Sequence, residues 1–144
     1  MIEQVVDANI FIRWLVRGEP FSNKAKRLIR AAYSNNIQLI GPPLLEYEVE
    51  SNLQRRLHSR RITMAEVDTA LADFRATGIE FVSHPDMVRR AREIARQYRQ
   101  ERIYDALYVA LAEVRGCELW TADRALYEAV RADSLFVNYL ADYA

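Results

Sequence analysis

Strands alternating with helices predict an α/β domain of three layers: a central parallel sheet of four to five strands flanked by helices. Three observations carry this reading. Short apolar or β-branched runs recur at residues 3–7, 37–40, 79–82, 118–120 and 135–137. Helical apolar periodicity fills the intervals between them. The few glycines and prolines, four of each, punctuate the boundaries rather than the interiors. A chain of 144 residues is the length of one domain, here taken as residues 1–144, and is long enough to bury a core without a disulfide or metal staple.

Taken in order, Glu3–Asp7 (EQVVD) reads as a strand ending in an acid, and Asn9 is placed to cap a helix over 10–16. Ser22 is placed to cap the next helix, to about Tyr33, with Leu28, Ile29 and Ala32 on one face. The second strand, 37–40, is closed by Gly41-Pro42-Pro43. A helix over 44–60 follows from Leu45, Val49, Leu53 and Leu57 at steps of four. Thr63 and Glu66 fit a capping box that opens a helix ending before Gly78. Strand three is 79–82, and Pro85 starts a helix to about Arg99. Residues 103–114 form a helix stopped by Gly116, then come strand four, a short helix over 122–130 and a last strand at 135–137.

Composition narrows the function. Hydrophobic residues make up 51% and charged residues 28%, as in an ordinary folded domain and unlike a disordered one. The single Cys117 excludes an internal disulfide framework and a multi-cysteine zinc site, and favours a reducing, cytoplasmic setting. No apolar run approaches the length of a membrane span, and Asp7, Arg13 and Arg17 interrupt the N-terminal stretch as no signal peptide would. Twenty Lys and Arg balance twenty Asp and Glu, which argues against a simple basic nucleic-acid binder. Eighteen of those cations are Arg, however, and residues 89–102 carry six of them. Arg suits bidentate phosphate contacts, although solvated helix faces with i,i+4 ion pairs explain such runs equally well.

Parallel α/β sheets bind ligands beyond the carboxyl ends of their strands. Asp7 and Asp123 lie there, each also placed to support the N-terminus of the following helix. Asp105 lies in IYDALYVALAEV, apolar nearly all round and hence read as buried. A buried, unpaired carboxylate costs several kcal/mol unless compensated, and a divalent cation compensates it better than a helix dipole. A fourth acid comes from Glu46, Glu48 or Glu50. Steps of two turn about 200° on a helix, so these glutamates do not share one site, and spacing leaves the choice open. An all-carboxylate set points to Mg²⁺ or Mn²⁺. His58 and His84 sit in no ligand pattern and read as surface or helix-cap residues, Cys117 as a small core residue.

Four segments, VVDANIFIRWLV, PPLLEYEVESNLQRRL, YDALYVALAEVRG and LWTADRAL, together resemble the PIN-domain family, especially its VapC-type toxin branch, across essentially the whole chain. The resemblance implies a PIN-like three-layer fold and a metal-dependent endoribonuclease using Mg²⁺ or Mn²⁺. It places the helix acid on Glu48, so the implied catalytic and metal-binding quartet is Asp7, Glu48, Asp105 and Asp123. Asn9 and Thr121 match polar positions beside the metal. Arg13, Arg17 and Arg124 are adjacent candidates for RNA phosphate contacts. The resemblance further implies a cognate antitoxin and a homodimer, with helices 22–33 and 44–77 as its surface. Trp14, Tyr33 and Phe74 could anchor partners but read more simply as core.

Two rivals fail on residues. A receiver domain needs a late Lys, and the last Lys here is Lys26; a haloacid-dehalogenase-type phosphatase needs D-x-D where this chain has Asp7-Ala8-Asn9. A PIN-like RNA-processing nuclease outside a toxin–antitoxin system, and an inactive RNA- or protein-binding module, remain open alternatives. Setting the four acids aside leaves a remainder of +4, so neutrality is compatible with an RNA-cutting enzyme. It also implies weak RNA affinity without metal, because composition offers no broad basic surface.

Overall fold

The computed structural model describes residues 1–144. Its elements are β1 (Glu3–Val6), α1 (Ala8–Leu15), α2 (Ser22–Ser34), β2 (Gln38–Gly41), α3 (Leu44–His58), α4 (Met64–Ala76), β3 (Glu80–Phe81), α5 (Met87–Gln97), α6 (Tyr104–Arg115), β4 (Glu118–Thr121), α7 (Arg124–Val130) and β5 (Val137–Tyr139), closed by a 3-10 turn at Leu140–Asp142. The sheet is parallel throughout, in the order β3-β2-β1-β4-β5. This five-stranded sheet, flanked by seven helices, is the α/β fold predicted above.

Strand order reverses at β1, where the chain runs outward through β2 and β3 on one side and β4 and β5 on the other. A crevice therefore opens at the carboxyl ends of β1 and β4, the topological switch point. The central strands are buried on both faces: Val5, Val6, Leu39, Ile40 and Leu119 are all nearly inaccessible. Half of α6 is buried as well, including the run from Tyr108 through Ala112. Gly41 ends β2 where a methyl group would collide with the Leu45 side chain, so glycine there lets α3 seat directly over the sheet.

The helix punctuation holds in part. Thr63 and Glu66 form the reciprocal capping box. Gly116, at φ +65, ends α6 in a left-handed cap whose neighbouring amides return to Ala112 and Glu113. Asn9 and Ser22 do not cap. Asp7 occupies the N-cap of α1 and Phe21 that of α2, because each helix begins a residue or two earlier than its best capping side chain. The last strand lies at Val137–Tyr139, not 135–137. Leu135 is solvent-exposed, whereas Val137 is buried and pairs in register with Leu119. Strand three shrinks to the edge pair Glu80–Phe81. Phe74 is core, Trp14 packs partly against it, and Tyr33 is 86% exposed, correcting its reading as core. Cys117 is only half-buried.

Candidate active site

Asp7 leaves β1 at its carboxyl end, and its amide still donates to the Trp120 carbonyl across the sheet. Its side chain is 4% exposed and caps nothing, although it holds the N-cap position of α1. Instead, Oδ2 accepts from the Thr121 hydroxyl at 2.9 Å and from Asn9 Nδ2 at 3.2 Å. Thr121, wholly buried at the end of β4, also accepts from the Asp123 amide at 3.0 Å. Asn9 Oδ1 accepts from the Ala122 amide at 2.9 Å. Asn9 and Thr121 thus clamp the two strand ends together and hold one oxygen of Asp7, leaving Oδ1 free of protein donors. That is why Asn9 serves the site rather than the helix start.

Glu48, in the second turn of α3, lines the same cleft, whereas Glu46 does not and Glu50 pairs outward with Arg75 at 3.6 Å. Buried Tyr108 donates its hydroxyl to Glu48 Oε1 at 2.5 Å. Asp105 stands in the first turn of α6 and also lines the cleft, which has a volume of about 510 Å³. It is partly exposed rather than fully buried, because the first turn of α6 projects past the core that covers the rest of the helix. Asp123 does not line the cleft, but its charge reaches Asp7 and Asp105. One of its oxygens caps α7 by accepting from the Leu126 amide at 3.1 Å, so its helix-capping role is real and leaves the other oxygen without a protein donor.

None of the four acids forms an ion pair with Arg, Lys or His. Burial, then the charges of Asp105 and Glu48, push the Asp7 carboxyl up to about 8. Burial also raises Glu48 against the opposing hydrogen bond from Tyr108, and Asp105 adds to that rise. Asp105 is raised by burial and by Asp123. The four carboxylates therefore feel one another and have no cation to relieve them.

An all-oxygen donor set of this kind suits a hard divalent cation. The side chains are not drawn into a closed shell: no three acidic, His or Cys groups stand in a preformed metal-binding cluster. Asp7, Glu48 and Asp105 stand in an open arrangement around the shared cleft.

The expected arginines lie elsewhere. Arg13 donates to the Pro20 carbonyl at 3.3 Å, Arg17 sits near α4, and Arg124 pairs with Glu128 at 3.0 Å; none lines the cleft. Arg55 and Arg102 line it instead, with Asn52, Tyr47 and Tyr104. Arg55 lies two turns beyond Glu48 on α3, and Arg102 lies three residues before Asp105. Counting helical steps from each acid would have found both, and Tyr108 at i+3 from Asp105 as well. His58 and His84 are remote from the cleft; His84 Nδ1 accepts the Asp86 amide just ahead of α5.

No curated protein sequence matches the chain. Among solved structures, the fold resembles PAE2754 from Pyrobaculum aerophilum, with a TM-score of 0.65 at 20% identity over 89% of this chain and 86% of that one. It also resembles a chain of a toxin–antitoxin complex from Klebsiella pneumoniae, with a TM-score of 0.60 at 19% identity over 95% and 97%. The family model of the PIN domain matches residues 5–132, a span that contains the whole cleft. With the parallel sheet, the switch-point cleft and its unpaired acids in agreement, the chain belongs to the PIN-domain family of nucleases.

Proposed function

We propose that this protein is a metal-dependent endoribonuclease that cleaves RNA phosphodiester bonds, acting as the toxin of a type II toxin–antitoxin pair of the VapC type. The observation that carries the nuclease reading is the set of three acids lining one cleft, Asp7, Glu48 and Asp105, with Asp123 close enough to act on Asp7 and Asp105 through its charge; none has a cationic partner, and two arginines line the same cleft. Carboxylates left unpaired at this cost need a compensating cation. The structural likeness to a chain of a toxin–antitoxin complex supports the toxin assignment. An antitoxin partner, a homodimer through helices 22–33 and 44–77, and a cytoplasmic setting belong to the same proposal. No helix is long and apolar enough to cross a membrane.

In this reading Asp7, Glu48, Asp105 and Asp123 hold Mg²⁺ or Mn²⁺. When bound, such an ion supplies charge neutralisation for the phosphate and a water of lowered pKa. Thr121 and Asn9 fix the Asp7 carboxylate and direct its free oxygen. Tyr108 orients Glu48, which either binds the ion or aligns the attacking water. Arg55 and Arg102 contact the anionic substrate flanking the cleaved bond.

The test is expression of wild type and Asp7→Asn in a cell lacking any antitoxin, with cleavage assays on purified protein. Growth arrest with cleaved RNA for wild type alone is expected. Equal toxicity of the two, or no divalent-ion-dependent cleavage by wild type, overturns the nuclease reading. Cleavage without growth arrest, with no antitoxin gene adjacent, moves the assignment to an RNA-processing nuclease. Asp105→Asn should weaken Mn²⁺ binding while preserving or raising metal-free stability; a clear fall in that stability would make Asp105 a structural residue.

A further inference from the structure

Helix α5 carries two populations of arginine. Arg89 pairs with Glu93 at 2.7 Å, and Arg90 pairs with Glu113 at 2.8 Å and Glu93 at 3.2 Å. Arg92, Arg96 and Arg99, by contrast, are exposed and have neither an ion pair nor a side-chain hydrogen bond. Arg92 and Arg96 are one helical turn apart, about 6 Å along the axis, on the same face. Arg99 follows in the turn at the carboxyl end of α5. Three residues later comes Arg102, which lines the cleft beside Asp105. The row therefore leads out of the cleft and back along the helix that packs against α6.

Helix-dipole stabilisation explains Arg96 in the last turn of α5 but not Arg92 in its middle. Two acids adjoin the row in sequence: Glu101 is exposed and unpaired, and Glu93 is already engaged by Arg89 and Arg90. Exposed Gln97 adjoins the row, and the one large apolar side chain exposed on α5 is Val88 at its far end. A protein partner would want apolar anchors in the middle of its patch. A strand of phosphates wants spaced guanidinium groups. At the cleft, Tyr47 and Tyr104 are 64% and 48% exposed and offer stacking faces for unpaired bases.

Resting on the nuclease reading of the cleft, we propose that Arg102, Arg99, Arg96 and Arg92 form a phosphate track that binds the RNA segment flanking the cleaved bond. The substrate is then an RNA extending several nucleotides beyond the cleft, held along α5. This revises the expectation that no basic surface compensates the acids: the neutral total conceals one continuous row.

The experiment measures binding of a 20-nucleotide unstructured RNA in EDTA across a salt series starting at low ionic strength. Wild type is compared with the triple variant Arg92→Gln, Arg96→Gln, Arg99→Gln and with a control of equal charge loss, Arg17→Gln, Arg115→Gln, Arg131→Gln, made at exposed sites outside the row and the proposed dimer surface. Each single-strand phosphate contact contributes about 0.7 to the slope of log affinity against log salt, so the α5 variant should lose about 2 from that slope while the control keeps it. Circular dichroism checks that both variants fold, and Arg→Lys at the three positions should restore most of the slope. An unchanged slope in the α5 variant, an equal loss in the control, or no RNA binding by wild type at any salt overturns the track. Tighter α5-dependent binding of a poly-glutamate peptide than of RNA overturns it in favour of an acidic protein partner. Because binding is read without metal, failure of the track and absence of cleavage are separate results.

Discussion

The two ends of β1 carry acids with opposite fates. Glu3, at the start of the strand, receives Arg115 from the end of α6 in a two-pronged contact, Nε to Oε1 at 2.9 Å and Nη2 to Oε2 at 2.5 Å. Its carboxyl is held below the ordinary glutamate value by that hydrogen bond. Asp7, four residues on, faces Asp105 at the other end of α6 and has no cation. Strand and helix thus meet twice, once as a matched pair and once as two like charges. Stability alone would favour the first arrangement at both ends. The second, kept at the switch point of the sheet, marks where the fold accepts a cost for function.

The largest expected break in this contrast is Asp7→Asn. If Asp7 holds the ion as proposed, its loss should lower divalent-ion-dependent RNA cleavage by more than about 100-fold, measured as kcat/KM on purified protein. The same change should alter metal-free stability with the opposite sign. The folded protein raises Asp7 from 3.8 to about 8, so between those pH values it holds a proton that the unfolded chain releases. Asp7 therefore contributes its full share of stability below about pH 3.8 and loses it as pH rises toward 8. In urea titrations with EDTA, subtracting the Asp7→Asn curve from that of wild type should reveal this decline. Glu3, with its lowered value, should do the reverse: its contribution is present above the unfolded value and fades as pH falls through the folded one.

Next in size, Tyr108→Phe removes the hydroxyl that holds Glu48 while keeping the ring in the core. Supporting hydrogen bonds of this kind are worth about 10- to 100-fold in activity or metal affinity. Cleavage should fall by roughly tenfold, mostly in kcat, while melting changes little. Gly41→Ala presses on Leu45 beneath α3, the helix that delivers Glu48. It should cost about 1–3 kcal/mol of unfolding free energy by denaturant titration. Smallest of all, Glu3→Gln breaks a peripheral ion pair and should cost no more than about 1 kcal/mol while leaving cleavage intact. A large activity loss from Glu3→Gln would erase the distinction between the two ends of β1.

Legibility followed the range of the interaction. Strand-end acids, the Thr63–Glu66 box and the Gly116 stop are encoded within a few residues, and the sequence reading located them. Asp7 and Asp123 stood out because a parallel sheet brings its strand ends together by rule. Glu48 was different. Helical spacing could not choose among Glu46, Glu48 and Glu50, and family resemblance supplied the choice; the fold turns Glu48 toward Tyr108 and sends Glu50 to Arg75. Arg13 and Arg17 are close to Asp7 in sequence, but α1 runs from the strand end to Leu15, and neither Arg13 on it nor Arg17 beyond it lines the cleft.

From the linear order of residues alone come the alternation of strand and helix, the carboxylates at the strand ends and the lack of the cysteines a multi-cysteine zinc site needs. Each is a local or compositional property. Folding was needed to establish which charges meet. Glu3 and Arg115 are far apart in the chain yet neutralise each other, while Asp7 and Asp105, almost as far apart, come within reach of each other's charge without a cation to relieve them. Coulomb energy depends on distance and burial, and both are created when α6 packs along β1. The balanced charge of the sequence is therefore resolved in space into paired ends, an acidic cleft and a row of free arginines leading from it.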